Sequence, residues 1–203
     1  MAKRAAPLVG VLALQGDYEA HAARLCEAGA EAEEIRSADR IPLLDGIVLP
    51  GGESGVMLSL MERFGILEPL KERILAGLPA FGTCAGLILL AKAVEGEDKR
   101  RIGALDVLVR RNAYGTQIDS FRATISTTVL GAETVEGVFI RAPRILSVGS
   151  EVEVLARHAG DPVLVRQGSI LAATFHPELV PGIPLHAWFV DSFVKKGREA
   201  GQR

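Results

Sequence analysis

The sequence predicts an α/β fold of three layers, with a mostly parallel central sheet, helices on both faces and an antiparallel strand extension. Three observations carry this. Short unbroken apolar runs of strand length recur through the first half, "PLVGVLAL", "GIVLPGG" and "LPAFG", and each passes into a stretch of helical periodicity. Strands buried on both faces read in this way, as they do in parallel sheets covered by helices. From about residue 102 the texture changes to short strands separated by turns, the pattern of antiparallel hairpins. No repeat, low-complexity tract or Pro/Ser-rich linker interrupts the chain, and 203 residues at 48% hydrophobic content suffice for one compact domain over 1–203.

Taken in order, "PLVGVLAL" is a first strand, and "GDYEAHAARLCEAGA" a helix in which Ala22, Leu25 and Cys26 recur at helical spacing before Gly29. "GIVLPGG" (46–52) is a second buried strand ending in a glycine pair. "SGVMLSLMERFGILEPLKERILAG" reads as two helical segments broken near Gly65, with Ser54 a candidate N-cap. "LPAFG" repeats the strand pattern, and "CAGLILLAKAV" starts another helix. "ALDVLVRR", "RATISTTVL", "GVFIRAP", "RILSVG", "VEVLARH", "DPVLVRQG" and "ILAATFHP" follow as short strands, and "PLHAWFVDSFVKKG" closes the chain as a helix.

Composition excludes several classes. With 23 basic against 25 acidic residues the net charge is -2, and no block of like charge is long enough to track a phosphate backbone, so nucleic acid is not an expected partner. No apolar run approaches the length that spans a bilayer, so no membrane partner is expected either. The N-terminal "MAKRAAPLVGVLALQGD" has two basic residues before an apolar run, but the run is short and no small-x-small cleavage site follows. Cys26 and Cys84 form neither a C-x-x-C pair nor a zinc-ligand spacing. A reducing cytoplasm and no metal are the expectation.

The chemistry centres on "FGTCAG". Gly82-Thr83-Cys84-Ala85-Gly86 has the G-x-nucleophile-x-G form of an elbow, in which a strand turns sharply into a helix and exposes the central side chain. Side chains at 82 and 86 would clash there, and the helix N-terminus favours the thiolate. Cys26 has no such cradle and reads as a small core residue. A thiol nucleophile needs a base, and the chain offers His21, His158, His176 and His186. His176 ends a strong apolar strand, where parallel sheets place active-site residues. Pro177 favours an extended His176, so that His176 and Glu178 face one side as base and orienter. His158 reads as a solvated hairpin residue, and His21 and His186 as packing or surface positions on helices. In "LPGGES" the glycines can turn a backbone N–H toward a ligand, and with the N–H of Ala85 would form an oxyanion hole.

"LPGGES", "FGTCAG", "RNAYG", "VFIRAP" and "FHPEL", in this order, resemble the class I glutamine amidotransferases. "ALQGD", "RNAYG...QIDSF" and "VFIRAP" are similar to the branch whose members are glutaminase subunits of pyridoxal 5'-phosphate (vitamin B6) synthase, and the likeness runs from "GVLALQGD" to "HPEL". The resemblance implies a class I glutamine amidotransferase-like, flavodoxin-like fold. It also implies hydrolysis of L-glutamine to glutamate and ammonia through a glutamyl thioester on Cys84, with His176 and Glu178 completing a triad. The oxyanion hole would use Gly52 and Ala85. Positions matching the glutamine-binding set are Gly51, Gly52, Glu53, Arg111, Ile140 and Arg141. Arg141 ends the apolar "GVFI", an expensive place for a charge without an anion, whereas "VRRN" around Arg111 could equally be a solvated strand end.

The same resemblance implies that ammonia passes to a (β/α)8-barrel synthase subunit in a large hetero-oligomer. Pyridoxal 5'-phosphate is then the partner's product, and no cofactor is expected in this chain. Gln15 and Gly16 would lie near the oxyanion hole and the contact surface. The chain departs from the family pattern at Gly55 and Val56, which replace two hydroxyls after "GGES", and at Thr116, which replaces an arginine. Two other readings stand beside this one. One is a class I glutaminase feeding histidine or nucleotide biosynthesis, and the other is a non-enzymatic cysteine sensor of related architecture.

Overall fold

The structure is a computed structural model described over residues 5–111, 120–127, 134–180, 182 and 184–200. The elements in chain order are β1 (Leu8–Leu12), α1 (Tyr18–Glu27), β2 (Glu31–Ile35), a 3-10 turn (Ala38–Leu43), β3 (Gly46–Leu49), α2 (Ser54–Arg63), α3 (Leu67–Leu75), β4 (Ala80–Thr83), α4 (Ala85–Leu90) and β5 (Ala91–Val94). There follow β6 (Leu105–Arg110), β7 (Ser120–Thr127), β8 (Thr134–Ile140), β9 (Arg144–Val148), β10 (Glu153–His158), β11 (Asp161–Gln167) and β12 (Ile170–Ala173). A 3-10 turn (Pro177–Leu179), α5 (Pro184–Phe189), a π-helical stretch (Val190–Lys195) and α6 (Lys196–Ala200) complete the described chain.

Nine strands form the main sheet in the order β2-β1-β3-β4-β12-β11-β10-β7-β8. The first five are parallel and the remaining four join antiparallel, so the sheet is α/β at one end and a meander at the other. A second sheet, β5-β6-β9, packs beside it, with Arg144 of β9 paired to Asp161 of β11. Alternation along the strands fills a core on each face. Leu8 and Leu12 of β1 join Met57, Met61 and Leu70 of α2 and α3, while Val9 and Val11 join Leu25 of α1 and Phe189 of α5. Gly10, between them, has no room for a methyl group, which would stand 2.6 Å from Leu44.

Several elements differ from expectation, each for a physical reason. β2 has no apolar run, because it is an edge strand whose "EAEEI" keeps charge at the surface and buries only Ile35. The helix after Cys84 stops at Leu90, and "AKAV" becomes β5, because pairing with β6 outweighs local helix preference. All six residues of α4 are buried, so no amphipathic period marked its end. β9 leaves the hairpin series and pairs with β6 instead. Ser54 is the first residue of α2, and Glu53 occupies the cap position without a side-chain cap. Cys26 is exposed, because the sheet-facing stripe of α1 runs through His21 and Leu25. His158 is no solvated hairpin residue: its ring stands 5.7 and 5.6 Å from those of Phe121 and Phe139. No helix among the described residues is long and apolar enough to cross a membrane.

Candidate active site

Three adjacent parallel strands deliver the site. β3 leads into the Gly51-Gly52 turn, β4 into Cys84 and β12 on to His176, so the carboxyl ends of neighbouring strands bring together residues 125 positions apart, Gly51 and His176. The register fixes this. Ala173 lies opposite Thr83, and the Cys84 N–H donates to the Ala173 carbonyl at 2.9 Å. The His176 N–H in turn donates to the Val138 carbonyl at 2.8 Å, tying the strand exit to β8.

Cys84 sits at φ 48°, ψ -102°, a costly conformation for a residue bearing a Cβ, and the turn is kept by close packing around it. A Cβ at Gly82 would lie 2.6 Å from Leu90 and 2.7 Å from the Gly86 carbonyl carbon, and one at Gly86 would run into the Leu49 carbonyl. The glycines are therefore required sterically. Cys84 Sγ lies 3.9 Å from the Ile140 carbonyl oxygen and lines a cavity of about 250 Å³. Gly51, Gly52, Glu53, Arg111, Ile140, Arg141 and His176 line the same cavity, with Gly16 beside them. Ala85 and Glu178 do not line it.

His176 Nδ1 and Glu178 Oε1 are 2.7 Å apart, with the carboxylate buried behind the ring. Pro177–Leu179 form a single 3-10 turn, not the extended exit that the sequence predicts, and this turn swings the carboxylate back. Burial alone would push the ring's pKa down. Cys84 and Glu178 together outweigh it and hold His176 raised to about 10. Glu178 is held well below the usual carboxylate range: burial opposes this, but the neighbouring His21 and the hydrogen bonding of His176 prevail. Nε2 of His176 makes no well-aligned hydrogen bond, although Cys84 is near enough to favour the protonated ring. The arrangement suits a thiolate facing an imidazolium that a carboxylate orients.

Sequence reasoning missed a layer behind these residues. His21 and His186 are both fully buried, and His21 Nε2 stands 3.3 Å from Glu178 Oε2. The signal was weak, since one histidine on each of two helices carries no spacing that points to a site. At the cavity mouth, Gln15 Oε1 accepts the Glu53 N–H at 2.7 Å, and Arg141 contacts Glu53 at 3.0 Å. Arg141 is exposed at φ 43°, so it is not the buried charge its strand suggested. Arg111 is held by Glu97 at 2.9 Å and is partly buried. Gly55 leaves open space with Arg111 Nη1 3.9 Å from where a methyl would stand, and Val56 is exposed. Thr116 and the motif residues 112–119 lie outside the described residues. Among the described residues no three or more His, Cys, Asp or Glu side chains are placed to hold a metal ion together.

The SNO glutamine amidotransferase family model matches residues 11–195. A protein of Streptomyces avermitilis named pyridoxal 5'-phosphate synthase subunit PdxT is 49% identical over 187 residues, covering 91% of this chain and 93% of its own. Another of that name from Frankia casuarinae is 50% identical over 193 residues, covering 94% and 97%. A solved glutamine amidotransferase superposes with a TM-score of 0.87 at 43% identity, over 92% of this chain and 98% of that one. A chain from the solved structure of PurLQS from Thermotoga maritima matches with a TM-score of 0.66 at 16% identity, over 98% and 100%, which speaks for the fold alone. With an elbow cysteine, a histidine-carboxylate pair beside it and a family match across nearly the whole of its length, the chain belongs to the SNO glutamine amidotransferase family.

Proposed function

We propose that this chain is the glutaminase subunit of a pyridoxal 5'-phosphate synthase, hydrolysing L-glutamine and passing ammonia to a synthase subunit. The observation that carries the reading is the convergence of Cys84, His176 and Glu178 at one end of the parallel strands, beside a cavity of amino-acid size. Relatives near 50% identity that bear the synthase-subunit name support the choice of partner.

In this reading the Cys84 thiolate attacks the side-chain amide carbon of glutamine, forming the C–S bond while the carbonyl oxygen takes up negative charge. The N–H groups of Gly52 and Ala85 receive that oxyanion. His176 gives its proton to the amide nitrogen as the C–N bond breaks, so ammonia leaves and a glutamyl thioester remains. The neutral ring then takes a proton from water, hydroxide adds to the thioester, and breaking of the C–S bond returns the thiolate and glutamate. Glu178 keeps the proton on Nδ1 throughout, leaving Nε2 to exchange it with the reactants. Glu53 faces the substrate ammonium, Arg141 and Arg111 its carboxylate, and Gly51, Gly52 and the Ile140 carbonyl line the rest. Residues 1–203 act as one glutamine amidotransferase domain with no cofactor of their own, in the cytoplasm. The partner is a (β/α)8-barrel in a large hetero-oligomer.

The test is release of glutamate from glutamine by the chain with and without a synthase subunit, for the parent and Cys84→Ala. Parent turnover that is lost in Cys84→Ala is expected; equal rates would remove Cys84 from the mechanism. A glutamine-analogue electrophile labelling Cys84 and sparing the exposed Cys26 separates the enzyme from a redox sensor. Copurification with a synthase acting on pentose phosphate separates it from glutaminases of other pathways.

A further inference from the structure

Behind Glu178 the structure holds a second pair of side chains that the proposed chemistry does not use. His21, on α1, and His186, on α5, are both fully buried although 165 residues apart, with His21 Nδ1 2.9 Å from His186 Nε2. His21 Nε2 lies 3.1 Å from Thr83 Oγ1 and 3.3 Å from Glu178 Oε2. Thr83 immediately precedes Cys84, so one imidazole touches both the strand that carries the nucleophile and the carboxylate that orients the base. One turn further along α1, Arg24 Nε donates to the Glu178 backbone carbonyl at 3.2 Å. Two buried imidazoles in an apolar layer are costly unless their nitrogens are used.

The unpartnered atoms set the direction of the chain. His186 Nδ1 has no hydrogen-bond partner among the described residues. If His186 accepted at Nε2, its proton would sit on Nδ1 as a buried orphan donor. With the proton on Nε2, only a lone pair goes unused. Orphaned donors are the rarer and costlier of the two. His186 therefore donates from Nε2 to His21 Nδ1, which places the His21 proton on Nε2, directed at Thr83 Oγ1 with Glu178 Oε2 beside it at 3.3 Å and without an aligned hydrogen bond of its own. Burial, and His21 beside it, push the His186 pKa down to about 3, consistent with a neutral ring that donates only once.

We infer that His21, set in its tautomer by His186, is a positioning residue that fixes the Glu178 carboxylate from behind, so that the chain Cys84, His176, Glu178, His21, His186 operates as one unit. This rests on the glutaminase reading above. Without the His21 N–H 3.3 Å away, the far oxygen of Glu178 would face a dry layer with nothing to offset its charge. Glu178 would then favour its protonated form and lose its grip on the imidazolium.

The test compares His21→Leu, which removes the donor, with His21→Gln, whose amide N–H can reach the same carboxylate oxygen. Each variant is assayed in complex with the synthase subunit, and each is also titrated alone by NMR to follow the His176 ring. His21→Leu is expected to lower kcat about 10- to 100-fold with KM within about twofold, and to move the His176 titration midpoint down from about 10. His21→Gln should keep at least about a third of kcat and the parent's midpoint. A His21→Leu profile superimposed on the parent's overturns the inference, as does a His21→Gln protein as impaired as His21→Leu. Because His21→Leu could fail to fold, ¹H–¹⁵N spectra of the parent's four histidines provide a second reading. An unprotonated Nδ1 on His21 is expected, and a proton there overturns the chain. A parent that does not hydrolyse glutamine at all sinks the functional reading instead, leaving the His176 titration and tautomer results to judge this one.

Discussion

His176 packs its ring edge directly over the Cα of Gly51, so closely that a Cβ on Gly51 would lie 2.9 Å from Nδ1 and nearer still to Cε1. The glycine pair after β3 thus makes room for the imidazole as well as turning the chain. Gly51→Ala is expected to push the ring off Glu178 and to lower glutaminase kcat about 100-fold, roughly 2.7 kcal/mol of barrier. Steady-state assay of the complex measures it, and near-parental kcat would mean that the ring has another place to sit.

Glu178→Gln keeps the shape of the side chain and removes its charge. The amide can present N–H to Nδ1, favouring the wrong tautomer, so kcat is expected to fall about 100- to 1,000-fold with little change in KM. The pKa of His176 should fall as well, because one of the two groups opposing burial is gone. An NMR titration of the ring reads that shift directly, and an unchanged midpoint would show that Glu178 does not govern the base.

The pH dependence of stability has a definite sign. His176 titrates at about 10 in the folded chain against 6.5 ordinarily, so its contribution is complete below about 6.5 and is lost as pH rises toward 10. Glu178 is depressed, so its contribution is present above about 4.5 and disappears as acid protonates it in the folded state. Cys84→Ala removes one source of the His176 shift. Its melting temperature should therefore fall less than the parent's between pH 7 and pH 10. Parallel curves for the two proteins would contradict the coupling.

Arg141 and Glu53 face each other at 3.0 Å with both side chains more than half exposed, so the pair adds little to folding. Arg141→Ala should leave the melting temperature within about 2 °C of the parent's while raising KM for glutamine about 10-fold. A large loss of stability with KM unchanged would make the pair structural and move the carboxylate contact elsewhere.

Gly55 is the second residue of α2 and has free space where a methyl would stand. Gly55→Ala is expected to stabilise the chain by about 0.5 kcal/mol, through lower entropy of the unfolded state and better helix propensity. Chemical denaturation measures it; a destabilised variant would show that the space is needed by Arg111.

Most of the site was legible in the linear order of residues, because its parts are local patterns. The elbow needs glycines on each side of Cys84 within five residues, and His176 and Glu178 are two apart. Such motifs report their own geometry through sterics. The alternating apolar runs likewise showed that β1, β3 and β4 are buried on both faces, since burial on both sides leaves no polar period. Pairing of distant segments left no comparable trace. β2 was hidden by its glutamates, β5 by the apolar helix that precedes it, and the partners of His21 and His186 by 165 intervening residues. A residue's character tells how much water it tolerates but not which neighbour replaces that water. The packing of α1 and α5 on one face of the sheet made that choice, turning two ordinary helix histidines into the layer behind Glu178.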